Sequence, residues 1–472
     1  MMTGLLPLTQ GEFEFTSCDF ANGTASLRYQ LRFLENSQLK RIDLLETVRF
    51  PGAPLLSTLA PARIRAAEQA LKLLHLMAGT SYYKTMVPRT IVTATPLSEN
   101  MAALATAVYT EGLAEFAFQN KLKLAPSFQS GEQSAPAPAL ALQARALIAL
   151  GGGKDSLVSV EALKRAGTPA CAVWVGRSEL IAATAQAAGL PTLNISREIS
   201  PELFALNAQG ALNGHVPVTA INSAILVLAA ILYDYSQVIF SNERSASAAT
   251  LIHDGKPVNH QWSKGQAFET ALSQLVHQEI APDLDYFSLL RPYSELAVTK
   301  KFAAADRYDA LFSSCNRNFR ILADKPASRW CGQCPKCHFV FLALAPFVAK
   351  PRLLKIFGQN LLDDIELAPA FEALLEWNGA HKPFECVGEA EESRAAFFQL
   401  CERADWREDA LVRYFAKTIA PKIEKPDLAI LLSPDPIALA RLPNAMQRAL
   451  ELAPPTASGS LESSLPQEFA RA

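Results

Sequence analysis

Apolar runs of strand length alternate with helical patterns through the middle of the chain. Four runs are apolar enough for strands buried on both faces, at 147–150, 170–175, 191–196 and 237–241. Helical spacing separates them over 157–166, 178–188 and 218–232. Strands that alternate with helices join in parallel. The pattern therefore predicts an α/β fold with a doubly wound parallel sheet, whose ligand site lies at the carboxyl ends of the strands.

The first fifty residues instead alternate apolar and polar positions with the period of strands. Asn22-Gly23 falls between two such runs and favours a hairpin turn. Helical spacing follows over Pro61–Met77 and Pro96–Gln119, and the stretch between them, Gly79–Lys84, is typical of a polar surface loop. These elements predict a small N-terminal α+β domain over residues 1–124.

Composition suggests how the remaining chain is divided. Residues 125–140 are rich in Pro, Ser and Ala without an apolar period, which indicates a linker. A catalytic domain over 141–346 is then expected, followed by a helical C-terminal region over 347–452. The tail at 453–472 is rich in Pro, Ser and Thr and is predicted to be disordered.

Charge and hydropathy exclude several classes of partner. The 472 residues carry 44 Lys and Arg against 46 Asp and Glu, so no basic surplus points to nucleic acid or an anionic membrane. The most apolar run, Ala220–Leu232, is too short to span a bilayer and predicts a buried helix. The first residues lack the pattern of a secretory signal, and the expected location is the cytoplasm.

Residues 147–156, LIALGGGKDS, are the most informative stretch of the sequence. A strand, a glycine turn and a helix N-terminus in succession form a phosphate site, because backbone N–H groups and the helix dipole face the anion. Lys154 adds a positive charge, and Ser156 can cap the helix or bind a phosphate oxygen.

The spacing excludes the commonest nucleotide loops. A Walker A loop needs Ser or Thr after its lysine, where Asp155 stands, and a dinucleotide fingerprint needs a glycine in place of Ser156. The stretch instead resembles the Ser-Gly-Gly-x-Asp-Ser signature of PP-loop ATP pyrophosphatases, with Gly151 replacing the first Ser. The alternative is an ordinary glycine-rich turn between a strand and a helix.

Three cysteines crowd one turn, at Cys331, Cys334 and Cys337, and Cys315 is a candidate fourth ligand. Thiolates at this spacing can wrap a tetrahedral metal, and four of them make a closed structural zinc site. An iron–sulfur cluster, a catalytic dithiol and no metal at all remain alternatives. His338 could replace Cys315, although its adjacency to Cys337 makes joint ligation awkward.

Three further polar stretches are candidates for the site. Asn242-Glu243-Arg244-Ser245 follows the fourth predicted strand, where a doubly wound fold binds its ligand. Gly214-His215-Val216-Pro217 precedes a helix, and Val258–Gly265 combines His260, Trp262 and Lys264. A surface ion pair, a helix-entry turn and an exposed loop are the respective structural alternatives.

In combination, these motifs resemble one PP-loop family. It comprises the ATP-dependent epimerases that convert the L-glutamate of UDP-N-acetylmuramoyl-L-alanyl-L-glutamate (UDP-MurNAc-L-Ala-L-Glu) to D-glutamate in peptidoglycan precursor synthesis. The resemblance rests on Gly152–Ser156, Gly214–Pro217, Ser241–Ala246, Asn259–Gln261 and Cys331–Cys337. It covers most of residues 10–380.

The resemblance implies an isomerase that adenylates the glutamate carboxylate, releases AMP and diphosphate, and uses Mg²⁺ and ATP. It implies a functional neighbour that adds L-glutamate, a muramyl ligase. The implied ATP-binding residues are Gly151, Gly152, Gly153, Lys154, Asp155, Ser156, Trp174 and Gly176. The implied catalytic residues are Lys154, Asp155, His215, Glu243, His260 and Lys264. Those implied for the substrate are Asn242, Arg244, Ser245 and Asn259, and those for structural Zn²⁺ are Cys315, Cys331, Cys334 and Cys337.

Two other functions remain open at the level of sequence. The first is a different PP-loop enzyme, of the deazaguanine nitrile synthase or tRNA-modifying type, although the near-neutral charge disfavours tRNA. The second is an ATP-binding regulatory module without turnover. Gly151 in place of Ser makes this module conceivable, whereas intact Lys154, Asp155 and Ser156 disfavour it.

Overall fold

The structure, a computed structural model, describes residues 11–35, 38–132, 136–319 and 326–452. Within these ranges the strands are β1 Gly11–Ala21, β2 Thr24–Glu35, β3 Gln38–Arg49, β4 Thr90–Thr93, β5 Leu97–Ser98, β6 Ser130–Glu132, β7 Ala146–Ala149, β8 Ala170–Val175, β9 Thr192–Glu198, β10 Gln237–Phe240, β11 Leu251–His253, β12 Lys256–Val258 and β13 Asp285–Ser288.

The helices in the same ranges are α1 Pro61–Tyr83, α2 Glu99–Thr110, α3 Ala114–Gln119, α4 Lys154–Arg165, α5 Glu179–Ala188, α6 Pro201–Ala208, α7 Val218–Tyr233, α8 Gln266–Leu275, α9 Glu295–Ala303, α10 Pro335–Leu344, α11 Lys350–Phe357, α12 Ala368–Leu375, α13 Ala390–Glu402, α14 Ala410–Tyr414, α15 Leu428–Leu432, α16 Pro436–Ala440 and α17 Asn444–Glu451. Short 3₁₀ and π segments join several of them.

One large mixed sheet organises the molecule. Its strand order is β13-β10-β7-β8-β9-β3-β2-β1-β4, and the five strands from β13 to β9 run parallel. The four predicted central strands are present, and β13 is a fifth parallel strand that was not predicted. Strand β3 pairs antiparallel with β9, so the sheet continues across the boundary expected near residue 124.

The N-terminal hairpin forms as predicted. Asn22 and Gly23 have φ values of 50° and 72°, the left-handed pair that a two-residue hairpin turn with the right twist requires. The inward-facing Phe13, Phe15 and Tyr29 are buried beneath α1, and their rings lie within 5.0–5.6 Å of one another. Aromatic burial of this kind ties the hairpin to the rest of the sheet.

The predicted loop at Gly79–Lys84 is wrong, because residues up to Tyr83 continue α1 and are buried. Their polar groups find partners inside the protein. The Tyr82 hydroxyl donates to Glu46 Oε2 at 2.7 Å, and the Thr80 hydroxyl donates to the Met77 carbonyl at 2.8 Å. Hydroxyl groups that make hydrogen bonds can be buried at little cost, so the polar composition of this stretch did not indicate exposure to solvent.

The outer regions agree in part with the sequence. Helices α12, α13 and α14 occupy the predicted helical C-terminal region, and α7 is the predicted buried apolar helix. The expected linker contributes β6, which pairs with β5. The tail at 453–472 lies outside the described residues. In the described ranges, no helix combines the length and apolar character needed to cross a bilayer.

Candidate active site

A cleft of about 280 Å³ opens at the carboxyl ends of β7, β8 and β10. This is the edge at which a doubly wound sheet was expected to hold its ligand. The lining side chains used below come from seven parts of the chain, and they are Asp155, Ser156, Trp174, Asn242, Lys264, Ser314, Lys336 and Cys386. Together they give the cleft one aromatic wall and several charged groups.

The glycine loop joins β7 to α4 and forms one wall of this cleft. Gly152 adopts φ of 76°, which favours glycine, and Gly153 is the N-cap residue of α4. A Cβ on Gly153 would lie 2.8 Å from Ser314 Oγ, so the loop packs tightly against the segment after α9. Gly151 and Gly153 line the cleft with Asp155 and Ser156, and the first turn of α4 therefore borders it.

Lys154 lies inside the protein instead of in the cleft. Its side chain is fully buried, and its Nζ lies 2.8 Å from Glu295 Oε1 and also contacts Asp155. Burial lowers the pKa of Lys154, but Asp155 and Glu295 outweigh that effect and raise it. The lysine therefore stays charged and holds two carboxylates beneath the glycine loop.

We expect Lys154→Met to destabilise the protein by about 3 kcal/mol, because it leaves the carboxylate of Glu295 buried without its nearest cation. The measurement is the urea midpoint. Lys164→Met on the same helix is the matched control, and its partly exposed pair with Glu161 should change stability by about 1 kcal/mol or less. Equal effects of the two substitutions would contradict the expectation.

Three carboxylates meet beside the loop. One oxygen each of Asp155, Glu243 and Glu295 lies within 4.8 Å of the others. Burial and the charges of Glu295 and Asp155 raise the pKa of Glu243 to about 8. Among the described residues, Glu295 Oε2 is buried without a hydrogen-bond partner. Lys154 and Lys336 counter part of this negative charge, and the three carboxylates group oxygen atoms of the kind that bind a divalent cation.

His215 and His260, which are distant in sequence, lie side by side with their ring centroids 4.5 Å apart. Glu115 from α3 joins them, with its Oε2 at 2.5 Å from His260 Nδ1 and 3.5 Å from His215 Nδ1. Burial lowers the pKa of His260, but hydrogen bonds to Cys386 and Glu115 outweigh the burial and raise it to about 9. Burial, His260 and Lys264 lower the pKa of His215 to about 3. The pair therefore holds one imidazolium and one neutral imidazole.

Lys264, Asn242 and Trp174, which are among the predicted site residues, line the cleft. Lys264 Nζ lies 3.2 Å from Cys386 Sγ, and the Asn242 amide donates to Ser288 Oγ at 3.0 Å. Gly176, with φ of 103°, directly follows β8 and does not line the cleft. The cleft is therefore assembled from strand ends together with the segment that carries Lys264.

Three predicted substrate residues have other surroundings. The Ser245 hydroxyl contacts Glu392 and accepts from the Glu295 amide at 3.1 Å. The Asn259 amide donates to the Ala246 carbonyl at 3.0 Å, which fixes a turn. Arg244 is half-buried outside the lining of the cleft, and its charge lowers the pKa of Glu389 against the larger effect of burial. Ser245 and Asn259 thus stabilise segments next to the cleft and do not line it.

The four predicted cysteines converge. Sγ–Sγ distances are 3.7 Å for Cys331–Cys337, 3.4 Å for Cys334–Cys337 and 4.0 Å for Cys334–Cys315. Sulfurs bound tetrahedrally to zinc at about 2.3 Å would be roughly 3.8 Å apart. The nearby His338 turns its Nε2 to the Gly332 carbonyl at 3.0 Å instead of joining the sulfurs.

Several residues of the site carried no recognised sequence signal. Glu115, Glu295 and Cys386 lie in unremarkable local contexts, and none belongs to a glycine, histidine or cysteine motif, whereas Lys336 lies within the Cys331–Cys337 motif but was not singled out. Glu295 follows Ser294, the N-cap residue of α9, and Cys386 lies between α12 and α13. The one available signal for Glu295 was that it lies in a polar segment that follows β13, and that strand was not predicted.

The fold and the site define an α/β protein with a charged ligand cleft at the carboxyl edge of a parallel sheet. Residues 7–289 match the family model described as the MurL N-terminal domain, and residues 311–429 match the MurL C-terminal domain. The chain belongs to the MurL family. The resemblance inferred from the motifs is confirmed at that level.

Named relatives agree with the family models. The chain is 53% identical to the UDP-N-acetyl-alpha-D-muramoyl-L-alanyl-L-glutamate epimerase of Xanthomonas oryzae pv. oryzae, over 89% of this chain and 92% of the relative. It is 44% identical to the epimerases of the same name from Micromonospora sp., over 85% of the chain and 89% of the relative, and Salinispora tropica, over 85% and 86%. Epimerases are isomerases, so these relatives are enzymes of the predicted class.

Proposed function

We propose that this chain epimerises the terminal L-glutamate of UDP-MurNAc-L-Ala-L-Glu to D-glutamate, with ATP converted to AMP and diphosphate. The observation that carries the proposal is 53% identity to a named epimerase across 89% of the chain. The charged cleft beside a glycine loop supports it, because both an anionic substrate and a nucleotide need such surroundings. On this proposal, the reaction belongs to peptidoglycan precursor synthesis in the cytoplasm and follows a ligase that adds L-glutamate.

The chemistry explains why ATP is needed. Removing the α-proton next to a free carboxylate creates a second negative charge on the same group, which makes that proton a very weak acid. Attack of the glutamate carboxylate on the α-phosphate forms a mixed anhydride with AMP and releases diphosphate, which removes the first charge. The α-carbanion is then stabilised as an enolate, it is reprotonated on the opposite face, and water cleaves the acyl group.

The glycine loop is the proposed phosphate site of a PP-loop fold. Gly151, Gly153 and Ser156 border the cleft at the N-terminus of α4, where backbone N–H groups and the helix dipole favour an anion. Trp174 supplies an apolar wall suited to an adenine ring, and Lys264 and Lys336 supply positive charge. Lys154 acts from below, by holding Asp155 and Glu295 in place.

Magnesium fits the carboxylate cluster. Asp155, Glu243 and Glu295 would supply the oxygen ligands, and Glu295 Oε2, which is buried without a hydrogen-bond partner among the described residues, is free to bind a cation. When bound, Mg²⁺ would neutralise charge on the phosphates of ATP. The four cysteines, whose sulfur spacing suits a tetrahedral ion, would hold structural zinc.

The test is an incubation with ATP, Mg²⁺ and UDP-MurNAc-L-Ala-L-Glu in D₂O. We expect AMP and diphosphate to appear together with deuterium at the glutamate α-carbon, and D-glutamate after hydrolysis of the product. The matched control is the same nucleotide carrying L-Ala alone, which lacks the glutamate. AMP without α-deuterium would contradict epimerisation, and epimerisation without ATP would contradict adenylation.

A further inference from the structure

Cys386 is a free cysteine that belongs to none of the sequence motifs. It lies on the segment between α12 and α13, and its partly exposed side chain lines the same cleft as the glycine loop. Lys264, Asn242 and Asp155 line that cleft as well. The thiol therefore borders the cleft to which the proposed function assigns ATP, and the adenylated carboxylate would form there.

Side chains from three other parts of the chain meet at this cysteine. Lys264 Nζ lies 3.2 Å from Cys386 Sγ, and Lys336 Nζ contacts the Cys386 carbonyl. The charge of His260 acts on Cys386, and His260 Nδ1 lies 2.5 Å from Glu115 Oε2. A thiolate next to an imidazolium that a third group orients is an arrangement used for covalent catalysis.

The surrounding charges favour an ionised thiol. Burial acts to raise the pKa of Cys386, but Lys264 and the hydrogen bond to His260 outweigh it, and they lower the pKa from 9.0 to about 5. Such a drop weakens the thiolate as a base by about 10⁴, whereas its nucleophilicity falls by only about 10². A thiolate in this position is thus better suited to attacking a carbonyl carbon than to removing an α-proton.

We propose that Cys386 is a catalytic nucleophile that takes the glutamyl group from AMP as a thioester. The inference rests on the proposed function and deepens it. The Cys386 thiolate attacks the acyl carbon, a C–S bond forms, the C–O bond to the phosphate breaks, and AMP leaves with the electron pair. Lys264 contacts the cysteine, and His260, held by Glu115, is a positioning residue that keeps the sulfur ionised.

A thioester preserves what adenylation achieved. The carbonyl stays uncharged after AMP departs, so the α-proton can still leave as the enolate forms and return on the other face. A thioester also survives water longer than a mixed anhydride, which gives a slow proton exchange time to occur. Water finally adds to the carbonyl, the C–S bond breaks, and the free carboxylate and the thiolate are restored with release of two protons.

The first test traps the intermediate. The wild-type protein is mixed with ATP, Mg²⁺ and UDP-MurNAc-L-Ala-L-Glu, quenched in acid within one turnover and digested for mass spectrometry. We expect the peptide that contains Cys386 to carry the substrate less one water, and neutral hydroxylamine to remove it. Diphosphate release and α-deuterium exchange without this adduct would overturn the thioester and leave the proposed function standing. No diphosphate at all would overturn both.

The second test uses Cys386→Ala with Cys401→Ala as control, since Cys401 is a partly buried cysteine on α13 outside the lining of the cleft. In Cys386→Ala we expect diphosphate release in a single turnover to persist, while α-deuterium exchange falls about 100-fold or more. Cys401→Ala should behave as wild type. Deuterium exchange in Cys386→Ala within threefold of the wild-type rate would overturn the inference.

The role of His260 has its own readout. In His260→Gln, the pH midpoint for alkylation of Cys386 by iodoacetamide should rise, because the positive charge of His260 that stabilises the thiolate is lost while Lys264 and Lys336 remain. The exposed His253 gives the matched control His253→Gln, which should leave the midpoint unchanged. An unchanged midpoint in His260→Gln would overturn the positioning role.

Discussion

Replacing Asp155 with asparagine is expected to lower the rate of AMP formation by about 10²–10³-fold. Asp155 is the carboxylate of the three-residue cluster that also lines the cleft, in the first turn of α4. The substitution removes one negative charge where the proposed Mg²⁺ would meet the phosphates, yet it keeps an oxygen that can accept a hydrogen bond from Lys154. Activity should therefore fall far more than stability.

The measurement is AMP and diphosphate release with saturating ATP, Mg²⁺ and substrate, accompanied by the thermal midpoint. Asp254→Asn is the matched control, because Asp254 is exposed in the turn between β11 and β12 and makes the same change of charge far from the cluster. AMP formation in Asp155→Asn within threefold of wild type would rule out a role for the cluster in catalysis and would weaken the PP-loop assignment itself.

The central sheet was predictable because its signals are local. Each parallel strand is a short apolar run, and helix ends are marked by residues such as Ser178 at the N-cap and Gly189 at the C-cap of α5. The turn at Asn22-Gly23 is equally local, since two left-handed residues are required within two positions. Periodicity and turn chemistry are read within a few residues, so sequence alone suffices for such elements.

The same local reasoning could not find the partners that complete the site. Cys386 and His260 are separated by more than a hundred residues, as are Lys154 and Glu295, and each pair meets only through the folded sheet. Lys154 was expected to face the phosphates, but the two buried carboxylates of Asp155 and Glu295 draw it inward. The direction in which a lysine side chain on a glycine loop points therefore cannot be predicted until the positions of its acidic partners are known.

Gly79 shows how composition misled the reading of α1. Its missing Cβ lets the helix approach Tyr109 and Phe15, since a Cβ there would lie 2.5 Å from the Tyr109 hydroxyl. Glycine in a polar, aromatic stretch indicates a loop when neighbours are unknown, yet here it permits close packing inside a long helix. The difference between a loop and a closely packed helix depends here on residues that are distant in sequence, so the local sequence does not show it.

Removing one cysteine of the four-sulfur cluster should have the second large effect. In Cys334→Ser we expect zinc content to fall from one per chain to near zero, the thermal midpoint to drop by about 10 °C or more, and AMP formation to be lost. The physical reason is connectivity. Cys315 shares its loop with Ser313 and Ser314, and the Ser313 amide donates to the Gly152 carbonyl at 3.0 Å, so zinc would hold the segment that braces the glycine loop.

Metal analysis by mass spectrometry and thermal unfolding are measured on the same preparations. Cys401→Ser is the matched control, because it removes a partly buried thiol from α13 without touching the cluster, and it should keep zinc, stability and activity. If the wild-type protein contains iron and no zinc, the four cysteines would hold an iron–sulfur cluster instead of a structural zinc ion. A metal-free wild type, or a Cys334→Ser protein as stable and active as wild type, would mean that the four sulfurs stabilise this region without a metal and that the glycine loop does not depend on one.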